Sequence, residues 1–309
     1  MYFLTKRLIR MWRARQAQRA AAATAVTTES VVNTPPPTRP RDDGRSAASR
    51  GPLAMVLHEA LYDLKISLRN PRARFMGIFF PIVLLVVFIG VFGNHHTTVD
   101  GHNVALKVFY VPGILAMSIV VNAYASLVIL ISGLRETGVL KRRRATPVPA
   151  VVLIGGQAFA TVVTTAITAT VLLVIAKLLY GVGMAGPAIL AVACITLIGT
   201  LAFACIGYAV SGLVGSQDAA QPTVQMTMLP LWFISGVFIP IASLSTGLKD
   251  VADFFPVQHL ANSLHLASVH SSFGSSISVT DVLVLAAWAA GAAAFCAWRF
   301  SWLPAGVSR

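Results

Sequence analysis

Charge is what this 309-residue chain has least of: Asp, Glu, Lys and Arg make up 11% of it, and only six acidic residues follow Arg74. A soluble domain carries about 25% charged residues, so residues 75–309 cannot supply a water-facing surface. Cysteine is scarce too. Cys194, Cys205 and Cys296 lie in apolar runs with no C-x-x-C spacing, which indicates neither a zinc site nor a disulfide framework. They read as buried thiols acting as small hydrophobes. No G-K-[ST] occurs, so no P-loop cradles nucleotide phosphates here. His58-Glu59 is followed by Tyr62 where a zincin needs its second histidine. His95, His96 and His102 cluster with Asp100 as their sole nearby carboxylate; a polar loop suits them better than a metal centre. The serines around 268–278 lack a base partner, and the apolar runs lack the ionisable groups of a proton relay. No catalytic residue and no metal ligand is expected. Without an energy-coupling group, the chain should be driven from outside.

What it holds in quantity is apolar surface: 56% of its residues are hydrophobic, with a mean hydropathy of +0.74. The net charge of +13 raises the question of nucleic acid, and its placement answers it. Residues 1–74 hold fourteen Lys and Arg against five acids, and five more cations lie between Gly133 and Pro147. Basic segments beside apolar runs suit a face against anionic lipid. No base-reading or stacking module accompanies them, so nucleic-acid binding is not expected. Leu4, Leu8, Met11 and Trp12, interleaved with cations, suit a basic helix on a membrane surface. Lys6, Arg7 and Arg10 break the apolar run that a signal peptide requires. Residues 1–52 are a basic tail rich in Pro, Ala and Thr, expected to be disordered and cytoplasmic because it buries too little apolar surface to fold. Residues 53–74 read as an amphipathic interfacial helix. Leu53, Val56, Leu57, Ala60, Leu61, Leu64 and Leu68 follow the helical apolar spacing, Glu59, Asp63, Lys65 and Arg69 take the other face, and Pro71 closes the element.

Six candidate spans follow, at 75–92, 108–131, 151–176, 188–214, 224–241 and 282–300, each close to or above the ~20 residues that cross hydrocarbon. They make one domain over 75–303, with a short tail at 304–309. Neither Val108–Leu134 nor Ala145–Ala176 contains Asp, Glu, Lys or Arg. The cationic loop between them is therefore short and flanked by spans, and such loops stay cytoplasmic. The tail, the 215–223 loop and the C-terminus then lie inside too, with 93–107, 177–187 and 242–281 outside. Lys177 falls ~39 Å along a helix that starts at Val151, at ~1.5 Å per residue, which places it at the outer headgroups beside Tyr180. The expected fold is an all-α polytopic membrane protein with six transmembrane helices, preceded by the amphipathic interfacial helix, and with both termini cytoplasmic. No internal repeat or inverted symmetry of hydropathy is present, which disfavours an inverted-repeat carrier.

Two segments carry a resemblance. G-L-R-E-T-G-V-L-K-R-R-R-A-T-P-V-P at 133–149 resembles the inner-loop signature of ABC-2 type permeases. These are the membrane subunits of bacterial ATP-driven exporters of drugs (the daunorubicin-resistance kind), lipids and polysaccharides. Q-D-A-A-Q-P-T-V-Q-M-T-M-L-P-L-W-F-I-S-G-V-F-I-P at 217–240 is similar to the family's fifth span, with Leu229-Pro230, Ser235-Gly236 and Pro240 in place. D-V-A-D-F-F-P at 250–256 is a weaker match, to the outer segment before the last span. Together they cover about Leu53 to Phe300.

The resemblance implies a permease subunit moving a hydrophobic or amphiphilic, drug-like or lipid-like molecule out across a bacterial plasma membrane. Its implied partners are a P-loop ATPase subunit in two copies and a second permease copy, identical or different, in contact with membrane lipid. ATP and Mg would sit on the ATPase; this chain would bind no cofactor. Docking to the ATPase falls, by the same implication, to the 53–70 helix with Glu59 and Asp63, and to Arg135, Glu136, Gly138, Lys141, Arg142, Arg143 and Arg144. Charged groups at a cytosolic helix end suit that task, although the cations serve topology equally well. Trp232, Phe233, Ser235, Gly236 and Phe238 would line the substrate path, with lipid-facing aromatics as the alternative, and 248–266 would re-enter the membrane. A polysaccharide or glycolipid exporter remains open. So do two readings of other classes, an ion-driven carrier or channel and a non-transporting membrane scaffold.

Overall fold

Backbone in hydrocarbon must satisfy its own hydrogen bonds, which an α-helix does within itself, and helices account for most of the computed structural model. It describes residues 60–62, 64, 65, 69, 75–99, 101–139, 150–184, 186–270, 274 and 277–299. The chain divides into residues 1–50 and 51–309, and every described residue belongs to the second unit. The tail expected over 1–52 and most of the expected interfacial helix lie outside the described residues; 60–62, 64, 65 and 69 are helical.

A π-helical turn, Phe75–Phe79, leads into α1, Phe80–Phe92. A short antiparallel hairpin, β1 (His96–Val99) and β2 (His102–Ala105), follows with Val99 opposite His102. It is the one β-sheet among the described residues. Next come α2 (Leu106–Val120), a π-helical turn (Val121–Ala125) and α3 (Ser126–Glu136). These run on as a single helix of 31 residues, Leu106–Glu136, which is ~46 Å at ~1.5 Å per residue. The remaining helices are α4 (Ala150–Tyr180), α5 (Gly186–Ser211), α6 (Gln217–Ile234), α7 (Thr246–Phe254), α8 (Pro256–Val269) and α9 (Val279–Arg299).

Among the described residues, four helices are long and apolar enough to cross a membrane: Leu106–Glu136, Ile154–Tyr180, Gly186–Ser211 and Val279–Trp298. The first expected span appears as the shorter apolar helix Gly77–Phe92. The fifth is shifted. Its helix begins at Gln217, because Ser216 caps it by accepting from the Ala219 N–H at 3.2 Å. It ends at Ile234, because Gly236 turns to φ 75°, a conformation that glycine alone adopts cheaply. The 215–223 segment read as a loop is therefore mostly helix, and 235–240 is not helix.

Leu106–Glu136 is the central element, 72% buried over its most apolar window, whereas Val279–Trp298 is 11% buried. Ile114, Leu115, Met117, Ile119 and Tyr124 on the central helix join Leu85 of α1, Leu172 of α4, Ile195 and Phe203 of α5, and Leu260 and Leu264 of α8 in one apolar core. At the start of α2, Lys107 donates to the Tyr180 carbonyl at 3.5 Å, tying the hairpin to the α4–α5 turn. His102 meets His270 edge-on at 5.9 Å, so the end of α8 lies there as well.

Candidate functional site

The Glu136 end brings together three chain segments. Arg135 is buried, and its Nη1 donates to the Val214 carbonyl at 3.2 Å. Glu136 remains exposed, and its Oε2 accepts from the Gln217 N–H at 2.6 Å. One pair of neighbours thus grips both sides of the α5–α6 turn. A carboxylate there is well placed, since the first N–H groups of a helix lack partners and the helix dipole is positive at that end. Gly133 completes the fit: a Cβ on it would stand 3.0 Å from Gln217 Oε1. Gly138 closes the helix at φ 68°, with its N–H on the Arg135 carbonyl at 3.1 Å. Of the candidate docking residues, Arg135, Glu136 and Gly138 are therefore brought together. Glu59, Asp63, Lys141, Arg142, Arg143 and Arg144 lie outside the described residues. Arg135 points inward, a structural duty that the charge pattern did not disclose.

At its opposite end α6 breaks into the irregular segment 235–240, which holds Ser235, Gly236 and Phe238 of the candidate path, with Trp232 and Phe233 in the last turn of the helix. Phe238 stacks on Phe88 of α1 with ring centres 5.2 Å apart and meets Phe233 and Trp232 edge-on at 5.8 and 6.3 Å. Phe88 in turn meets Tyr110 of α2 at 5.0 Å. The break is pinned from two sides. Gly113 of α2 lies so close that a Cβ there would approach the Val237 carbonyl to 2.5 Å, and His265 of α8 bonds through Nε2 to the Gly236 carbonyl at 3.0 Å. The His265 ring lies flat on Phe109, 4.4 Å between centres. It is fully buried in α8, outside the four candidate spans, and that burial lowers its pKa to about 4 and keeps it neutral. Among the described residues, Ser235 Oγ, Trp232 Nε1 and His265 Nδ1 are buried with no hydrogen-bond partner. An unpaired buried group costs about 1–3 kcal/mol, and three such groups gather at this break.

Between the two ends, the π-helical turn 121–125 redirects two side chains. Asn122 donates through Nδ2 to the Gly77 carbonyl and to Thr168 Oγ1, both at 3.3 Å. The Tyr124 and Thr227 hydroxyls share a hydrogen bond of 3.0 Å, linking the central helix to the middle of α6. Single π turns often mark functional places in helices.

A polar network at the start of α9 went unread in the sequence. The buried Asp281 faces His259 Nδ1 at 2.6 Å and accepts from Asn262 Nδ2 at 2.7 Å and Ser263 Oγ at 3.4 Å. His259 Nε2 donates to the Asp253 carbonyl at 2.8 Å, and Gln258 donates to the Asp253 carboxylate at 2.5 Å. Both ring nitrogens of His259 are taken up, which leaves none for a substrate. The network is a fastening between α7, α8 and α9, not an Asp–His catalytic pair. The i, i+3, i+4 spacing of His259, Asn262 and Ser263 on one helical face was the available signal.

No group of three or more His, Cys, Asp or Glu suited to a metal ion occurs among the described residues. No curated protein matches the chain. The family model described as ABC-2 type transporter matches residues 61–267, from the helix before α1 to near the end of α8. That match spans the Arg135–Glu136 pair, all of α6 and the break after it, and this chain belongs to the ABC-2 type transporter family.

Proposed function

We propose that this chain is the permease subunit of an ATP-driven exporter, moving a hydrophobic or amphiphilic molecule of drug-like or lipid-like kind out of the cytoplasm or inner leaflet. Permeases of this family normally work with an ATP-binding subunit, and a membrane domain without a P-loop needs one. The subunit is a separate P-loop ATPase in two copies, carrying ATP and Mg, and two permease copies complete the assembly. The chain lies in a bacterial plasma membrane with the 137–149 segment and both termini in the cytoplasm. All six apolar segments cross, with the short Gly77–Phe92 and the interrupted α6 among them, and 248–266 re-enters from outside.

The observation that carries this reading is the placement of α6. Its first turn is held by Glu136 at 2.6 Å beside the cationic loop, and its far end breaks among Trp232, Phe233 and Phe238. A push at the cytosolic end thus acts on the helix that leads to an apolar, aromatic path. Glu136, Gly138 and the cations Lys141, Arg142, Arg143 and Arg144 receive the ATPase, together with Glu59 and Asp63. Charged groups at a helix end form the charge-assisted bonds such a contact needs.

The test is reconstitution in liposomes with and without the P-loop ATPase that copurifies with the chain. ATP-dependent efflux of a fluorescent amphiphile should require both. Efflux by the chain alone, driven by an ion gradient, would replace this reading with a carrier. Labelling of Leu140→Cys by an impermeant thiol reagent from outside the cell would overturn the orientation.

A further inference from the structure

Between α5 and α9 runs a groove of 430 Å³, walled by Ile206, Ala209 and Leu213 on one side and by Trp288, Gly291 and Phe295 on the other. Both walls belong to apolar helices long enough to cross a membrane, so the medium that meets this groove is hydrocarbon. A Cβ on Gly291 would meet nothing within 4 Å, so the groove is open there. At one end it is shut. Trp288 Nε1 donates to the Phe254 carbonyl at 3.1 Å and the ring stacks on Phe255 at 6.4 Å, which sets the α7–α8 junction against it. At the other end stands Trp298, 6.2 Å from Phe295 between ring centres and 79% exposed. The spacing 288, 291, 295, 298 keeps these residues on one helical face. An exposed tryptophan at the end of a span marks the headgroup level, with its ring in the apolar layer and its N–H reaching polar groups. From Trp288 to Trp298 is ~15 Å of helix at ~1.5 Å per residue, half of the ~30 Å hydrocarbon. The groove is thus one leaflet deep, on the side where α5 ends and Glu136 lies.

We infer that the α5–α9 groove is a site for one membrane phospholipid of that leaflet, its acyl chain lying between the two helices and an ester or phosphate oxygen accepting from Trp298 Nε1. The walls alone confer no preference, since lipid tails are as apolar as the groove. The preference comes from the two ends together. A chain one leaflet long fits between the Trp288 stop and Trp298, and an indole N–H, which can only donate, finds its acceptor at the headgroup. A second copy of this chain does not fit. Packed helices lie about 8–10 Å apart, and a helix with its side chains is ~10–12 Å across, too wide for the crevice between two of them. An occupied groove braces the late part of α9 on α5, whereas the Asp281 network fastens its start. Leu213 of the groove precedes Val214, whose carbonyl takes the Arg135 hydrogen bond, so the lipid also backs the α5–α6 turn. This site does not depend on the α6 path; the orientation proposed above only makes its leaflet the inner one.

The test uses the full chain in phosphatidylcholine nanodiscs doped with a phosphatidylcholine that carries a diazirine midway along one acyl chain. Labelled peptides are located by mass spectrometry. The reference is the 154–159 stretch of α4, where Ile154 and Phe159 are also exposed. It lies at a matching depth, because the Tyr208 hydroxyl donates to the Ile154 carbonyl at 3.4 Å. The 206–213 and 287–295 peptides should be labelled about fivefold more than this reference, the worth of one net hydrogen bond. Trp298→Phe keeps a ring and removes the donor, and should cut the margin to about twofold or less. Gly291→Leu fills the open space and should abolish the margin without lowering the thermal midpoint. Labelling no stronger than at 154–159 would mean ordinary surrounding lipid and overturn the site. A margin unchanged in either variant would refute the assignment, Gly291→Leu probing the groove and Trp298→Phe its polar end.

Discussion

Replacing Glu136 by alanine should loosen the start of α6 before it does anything else. The Oε2 to Gln217 N–H bond of 2.6 Å is charge-assisted, and such bonds are worth more than neutral ones. The side chain is exposed, however, and solvent screens it, so the loss amounts to about 1 kcal/mol. That is about a fivefold rise in the population of an opened first turn, at 1.4 kcal/mol per factor of ten. Amide hydrogen exchange over Ala219–Gln221 in nanodiscs measures it. A second variant separates this bond from any contact with a partner. Gln217 is the first helical residue after the Ser216 cap, where proline is favoured, and Ser216 at φ −144°, ψ 163° already has the extended backbone that precedes a proline. Gln217→Pro therefore removes the donor while keeping the helix. In that background Glu136→Ala should change exchange no further. A rise below twofold in the single variant would show that the bond contributes nothing and refute the argument. Should Glu136 instead work only by docking the ATPase, Glu136→Ala would abolish coupled efflux to the same degree in both backgrounds.

Other changes test the remaining contacts. Asp281→Asn strips a buried carboxylate from His259, Asn262 and Ser263, and should lower stability by about 3 kcal/mol. A double-mutant cycle with His259→Gln, read by thermal unfolding in detergent, should recover part of that loss; strict additivity would deny the coupling. His265 binds its proton only near pH 4 when folded, against an ordinary 6.5. On acidification from 6.5 to 4 the unfolded chain gains a proton that the folded chain refuses, so stability falls through that window by up to about 3 kcal/mol. His265→Phe should flatten this part of the profile, and an unchanged slope would remove His265 as its source. Gly113→Ala drives a methyl against the backbone carbonyl of Val237, which cannot turn aside, and should cost about 1–3 kcal/mol and impair efflux. Gly77→Ala meets only the side chain of Asn122 and should cost less; the reverse order, in a thermal-shift comparison, would contradict the packing described.

Hydropathy and charge placement were enough to find the long helices, because in a membrane an apolar run and a helix are nearly the same statement. The ends of α6 were another matter. Hydropathy put its start at Val224, but Ser216 capping and the Glu136 contact set it at Gln217, among polar residues that a hydropathy scan discards. At the far end hydropathy runs the span on to residue 241, since only the positive φ at Gly236, which an apolar run does not disclose, ends the helix at Ile234. The site was partly legible. Arg135 and Glu136 stood out as charges at the end of an apolar run, but their inward partners Val214 and Gln217 lie about eighty residues away. The Asp281 network was missed for the same reason: its members come from three helices, and a stretch with scattered Asp and His looks merely polar in the sequence.

The contacts along α6 nonetheless form an ordered series. Glu136 meets Gln217, Tyr124 meets Thr227, and Gly113 meets Val237, so α6 runs antiparallel to a single helix that touches its start, its middle and the break beyond it. The three contacts differ in kind. The first is a charge-assisted hydrogen bond at the surface, the second pairs two hydroxyls beside a π turn, and the third is backbone against backbone with no slack. A force on the Glu136 end has a compliant charged grip to pull on, and the Gly113 end has none to yield. Motion entering at the α5–α6 turn must then be absorbed between them, where the π turn 121–125 offers the helix a second hydrogen-bond register. Converting that turn to regular α-helix by deleting one residue from 121–125 should preserve insertion while uncoupling ATP hydrolysis from efflux. Full coupling in the deletion would show that the turn is not where the two ends of α6 are reconciled.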